Sequence, residues 1–112
     1  MSNQDALARK IAVGELDLTK TEHRVWNALL WLMEKGNYVY HTRPHMASAI
    51  SLPQSHFNAA IRSLHAKDMI AYAADRGKGK SIMVSPFEIW KGGAAAQRMA
   101  MHQYRSHREK TA

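Results

Sequence analysis

The sequence contains no cysteine, which excludes disulfide staples and thiolate metal sites and suits a reducing compartment. Acid is scarce: nine Asp and Glu stand against sixteen Lys and Arg, a formal net charge of +7 with a pI near 10.0. That balance speaks against an acidic surface and for a polyanionic partner. Long apolar runs are missing too. The longest, residues 28–33, is far short of the roughly 20 residues a membrane span needs. The opening MSNQDALARK lacks the apolar stretch of a secretory signal, so a cytoplasmic location is expected. Enzyme signatures are also missing: no Walker loop, dinucleotide fingerprint or nucleophile elbow occurs. The GKGK at residues 77–80 lacks the spacing and the Ser/Thr of a phosphate-binding loop. Carboxylates are scattered rather than paired for acid–base work. His41 and His45 have Pro44 between them and no third ligand at metal spacing, so neither a metal nor a cofactor is expected. The expectation is a binding protein, not an enzyme.

What is present is a chain of 112 residues, 46% hydrophobic, enough for one domain with one core. Residues 42–84, TRPHMASAISLPQSHFNAAIRSLHAKDMIAYAADRGKGKSIMV, read as two short helices in a tight turn followed by two strands around a glycine–lysine loop. In the second helix, Phe57, Ala60, Ile61 and Leu64 fall at the i, i+3, i+4, i+7 spacing of one buried face. Ser55, Asn58, Ala59, Arg62 and Ala66 make an opposite face that is small, polar and nearly free of acid. Thr42 can cap the preceding helix, whose apolar face is Met46, Ala47 and Ile50, and Pro44 sits near its start. Only residues 51–53 separate the two helices, with Pro53 in the first turn of the second. So short a turn is the supersecondary unit that sets its second helix in the DNA major groove. Residues 71–74 and 81–85 read as strands, with Ile82 and Val84 on one face. Residues 75–80 form the turn between them, and Arg76, Lys78 and Lys80 sit at its tip, suited to phosphate contact.

Upstream, residues 5–11 predict a helical turn or two and residues 15–18 a short strand or extended lead-in, parted by Gly14. Thr19 and Glu22 match a capping box ahead of a helix over residues 20–35. That helix is expected to bury Val25, Trp26, Leu29, Leu30 and Met33, with Trp31 and Leu32 widening the stripe and Gly36 as its stop. Residues 37–40 are a short β-prone run. The order helix, strand, helix, helix, strand, wing, strand predicts an α+β winged helix-turn-helix with an added C-terminal helix. Three segments follow: an N-terminal extension (residues 1–18), the winged-helix DNA-binding domain (19–93) and a basic C-terminal helix or tail (94–112). In that last helix Ala95, Met99 and His102 share one face that Ala94, Met101 and Tyr104 widen. This face is expected to dock on the helix at residues 20–35 or on a second copy.

GKGKSIMV followed by SPFEIWKGG, after a capped LTKTEHRVWNALL, resembles the winged-helix replication proteins of bacterial plasmids, the RepL-like group. The resemblance spans residues 16–93. It implies a DNA-binding protein of a plasmid or phage, acting as replication initiator or transcriptional regulator. With no second domain to recruit a replisome within 112 residues, a repressor role is the expectation.

The partners expected are double-stranded DNA and a second copy, because specific regulators commonly read two half-sites. Gln54, Ser55, His56, Asn58 and Arg62 are the candidates for base or adjacent phosphate contact. Asn58 can pair with adenine and Arg62 with guanine. Arg43 and His45, with Arg76, Lys78 and Lys80, are the phosphate candidates. A protein–protein module binding a host factor through the same fold is the rival class, and the tryptophans and Met-rich tail suit it.

Overall fold

Thr19 begins α2 (Lys20–Leu32) as the capping box predicts. Its hydroxyl accepts the Glu22 N–H at 3.1 Å, and the Glu22 carboxylate accepts the Thr19 N–H at 2.9 Å. These distances come from a computed structural model, which describes the backbone of residues 3–75 and 79–110 and the side chains of 7–73 and 81–110. The carboxylate also ties α2 to α4 (Gln54–Ala66). Ser63 donates to it at 2.9 Å, and Lys67, just past the end of α4, donates to both oxygens at 2.8 and 2.6 Å. Burial alone would raise the Glu22 pKa. The Lys67 bond, the Thr19 N–H and the Ser63 hydroxyl outweigh it and bring the pKa to about 2.

Val25, Trp26 and Leu29 of α2 pack against Phe57, Ala60, Ile61 and Leu64 of α4, with Met46 and Ala47 of α3 (Arg43–Ala49) closing the layer. The predicted apolar faces of the helix-turn-helix are therefore the buried ones. Two expectations for α2 fail. Trp31 does not widen the stripe: it is 69% exposed. Nor does the helix run to Gly36. It ends at Leu32 because Met33 turns extended and Glu34 pairs with Tyr38, so Gly36, at φ +82°, serves a single 3₁₀ turn over Lys35–Asn37 instead.

The sheet is antiparallel with β3 (Gly79–Val84) between β1 (Tyr38–Val39) and β2 (Ile70–Asp75). Val39 pairs with Ile82, Tyr72 with Ile82 and Ile70 with Val84, and these side chains face the helices. The two hairpin strands reach further into the wing than predicted. Asp75 pairs with Gly79 and Ala74 with Lys80, so Asp75, Gly79 and Lys80 belong to the ladder rather than to the turn. Buried Asn37 locks the sheet to the segment that follows it. At φ +67° its Nδ2 donates to the Val84 and Ile89 carbonyls at 3.1 and 2.9 Å.

The outer face of the sheet is covered by α5 (Ala94–Lys110), through Ala100 and Tyr104 against Ala71 and Met83. This corrects the expected docking of the C-terminal helix. Its buried stripe is not Ala95, Met99 and His102; Ala95 and His102 are exposed, and Met99 is 67% exposed. Ala71 leaves room for the Tyr104 ring, whose hydroxyl then reaches Asp68 at 2.8 Å. Arg108 adds bonds to the His65 and Ile70 carbonyls at 2.7 and 3.0 Å. At the other terminus, α1 (Asn3–Ala12) is longer than predicted and no strand follows it. Leu7 is buried, Leu16 and Leu18 pack half-buried, and Lys10 pairs with Glu88 at 2.8 Å. Among the described residues no helix is long and apolar enough to cross a membrane.

Candidate nucleic-acid interface

The turn between α3 and α4 runs through residues 50–53, one longer than the sequence reading. Ser51 takes φ +54°, and the Leu52 N–H returns to the Ala47 carbonyl at 2.9 Å. Thr42 caps α3 as predicted, accepting the His45 N–H at 3.3 Å. Pro53 stands at the N-cap of α4 rather than inside its first turn, and no side chain caps that end. The first N–H groups of α4 are thus free to meet solvent or an anion.

Gln54, Ser55 and His56 are exposed on this first turn, and Arg62 is exposed two turns further on. These four share the outer surface of α4, with the small Ala59 between them allowing close approach. Asn58 is half-buried, and its Oδ1 is covered and has no hydrogen-bond partner among the described residues. A bidentate grip on adenine uses both amide atoms, so Asn58 must rotate outward to make one. At the start of α3, His45 is exposed and stacks face to face on His41, ring centroids 5.2 Å apart. Half-buried Arg43 places its guanidinium 5.5 Å from the centre of the Tyr72 ring. Of the wing candidates, Arg76 and Lys78 lie outside the described residues. Lys80 is placed by its backbone alone, paired with Ala74 beyond the tip.

Two features of this surface were missed in the sequence reading. From Lys35 to Lys67 the chain holds no carboxylate at all, and this run contains β1, α3, the turn and α4. The signal was available in the bare sequence. The second feature is Tyr72, whose ring lies parallel to that of His65, centroids 4.3 Å apart and planes within 5°. Burial, then the nearby Arg108 charge, lowers the His65 pKa against an opposing pull from Asp68, and its Nε2 is buried without a partner among the described residues. The ring is accordingly neutral at neutral pH. Nothing in the sequence separation of these residues announces their contact.

A helix-turn-helix followed by a hairpin in a three-stranded sheet defines the winged helix-turn-helix class. Among solved structures the chain is similar to a transcriptional regulator of the MarR family from Silicibacter pomeroyi. The TM-score is 0.51 at 12% identity, over 97% of this chain and 66% of that one. At that identity the likeness is one of fold, and the chain spans slightly under two thirds of the regulator's length. No protein-family model matches the chain, and no curated protein matches it.

Proposed function

We propose that this protein binds duplex DNA through α4 and the wing and regulates transcription or replication, as a homodimeric repressor of a plasmid or phage. The observation that carries the reading is the acid-free run from Lys35 to Lys67, which supplies the whole helix-turn-helix surface of a protein with net charge +7. Such a surface approaches a phosphate backbone without a repelling carboxylate. Exposed Gln54, Ser55, His56 and Arg62 offer donors to base edges and phosphates, and Arg43 and His45 flank them at the start of α3. The wing lysines add charge that carries no sequence information. The resemblance of GKGKSIMV and SPFEIWKGG to plasmid replication proteins supports the mobile-element origin and a cytoplasmic site of action. On this reading the chain acts by occupying DNA, not by catalysis.

The test is a gel shift against the DNA upstream of its own gene, with salt titration and a scrambled duplex as competitor. Arg62→Ala is expected to relax preference at one or two base positions, at roughly 1–3 kcal/mol. Unaltered discrimination between operator and scrambled DNA refutes the placement of α4 in the groove. Light scattering with and without operator reads the stoichiometry, and a monomer bound one-to-one refutes the homodimer. Absence of any shift at low salt returns the fold to the protein–protein class, with exposed Trp31 as its first candidate contact.

A further inference from the structure

Arg43 is the first residue of α3, Tyr72 lies in β2 three positions before the end of the strand at Asp75, and His65 is in the last turn of α4. Their side chains meet in one place. The Tyr72 ring lies flat on His65 at 4.3 Å, and the Arg43 guanidinium is held over the Tyr72 ring at 5.5 Å. The stack therefore joins the entry to the helix-turn-helix, the end of the recognition helix and the root of the wing. His65 is a firm base for it. Its carbonyl accepts from Arg108, and its ring is half-buried with no polar partner among the described residues drawing Nε2 elsewhere.

No ion pair among the described residues involves Arg43. A guanidinium held over an aromatic ring makes no hydrogen bond to it and keeps N–H donors for a phosphate. An arginine left loose in solvent samples many rotamers and must be ordered on binding, whereas a stacked one is ordered beforehand. We infer that Tyr72 is a positioning residue for nucleic-acid binding, holding Arg43 for one backbone phosphate while His65 fixes the Tyr72 ring. This rests on the DNA-binding reading above.

The experiment uses the full chain and a mixed-sequence duplex, with affinity measured across a salt series for the wild type, Tyr72→Leu, Tyr72→Phe, Arg43→Ala and the Tyr72→Leu/Arg43→Ala pair. Tyr72→Leu is expected to weaken binding roughly fourfold and flatten the plot of log K against log salt by about 0.9, the signature of one lost phosphate contact. Tyr72→Phe keeps the ring and restores both. In the Arg43→Ala background Tyr72→Leu adds nothing, because its effect passes through Arg43. Additive losses, or a Phe variant as weak as the Leu variant, overturn the assignment. Where Tyr72→Leu folds poorly, Arg43→Lys serves: charge is kept and the planar stack given up, and affinity matching the wild type overturns the assignment. NMR of the free protein separates the two levels of the argument. Ring-current shifts on the Arg43 side chain are expected in the wild type and Tyr72→Phe and absent in Tyr72→Leu. Their absence from the wild type refutes the stack whatever DNA does. Their presence in a wild type that binds no duplex refutes the DNA-binding reading and the inference with it.

Discussion

Glu22→Gln removes one charge from the joint between α2 and α4 while leaving the cap, since glutamine serves at this position of a capping box. The side chain it replaces is buried and bonded to Thr19, Ser63 and Lys67. Its pKa falls from 4.5 to about 2 on folding. Each unit of such a difference corresponds to about 1.4 kcal/mol, so the charged carboxylate contributes about 3 kcal/mol. The folded pKa lies below the unfolded one. This stability is therefore fully present above pH 4.5 and is lost as pH falls towards 2. Other carboxylates titrate in the same window, so the informative quantity is the gap between wild type and variant. Urea unfolding followed by tryptophan fluorescence should give a gap of about 3 kcal/mol at neutral pH, closing as pH approaches 2. A gap that stays constant across that range refutes the ionic account and leaves only lost packing.

Asn37→Ala strips two buried carbonyls of their donor and leaves alanine at a positive φ, and a loss of about 2–4 kcal/mol in urea unfolding is expected. A loss under 1 kcal/mol would show that the link to Val84 and Ile89 is incidental. Tyr104→Phe keeps the ring, removes the hydroxyl that bonds Asp68, and should cost about 1 kcal/mol, while Tyr104→Ala should cost about 3–5. Equal costs for the two would mean that the ring does not hold α5 on the sheet.

The elements most legible in the sequence were those whose signal is local. The period of Phe57, Ala60, Ile61 and Leu64 specified the buried face of α4, and Thr19 with Glu22 located the start of α2. What those residues do at long range was not legible. The same Glu22 that caps its own helix anchors Lys67, 45 positions away, and no periodicity encodes that partner. Helix ends were misjudged where pairing overrode composition: Gly36 looked like a stop, but the Glu34–Tyr38 pairing ends α2 earlier. The face of α5 was misread at its centre: Tyr104, expected only to widen a stripe of Ala95, Met99 and His102, is the main buried side chain. Tyr104 is the better core residue here because Asp68 satisfies its hydroxyl, and burial together with that bond and charge pushes its pKa far above the ordinary range. The exposed candidates of α4 were legible as a polar stripe. The Arg43–Tyr72–His65 stack was not, since its members come from three separate elements.

The strand order β1-β3-β2 has a consequence for the way the protein is made. The central strand is the last of the three to leave the ribosome, so β1 and β2 emerge with no partner in the sheet. The helical layer has no such wait. α2, α3 and α4 carry their mutual contacts within residues 20–66 and can pack before the sheet is complete. Only when Ile82, Met83 and Val84 arrive does the sheet close, and only then do Ala71 and Met83 form the surface that receives α5. Assembly can thus run from the helical layer outward. Until β3 pairs with both, β1 and β2 are open edges, and that pairing is what removes the hazard.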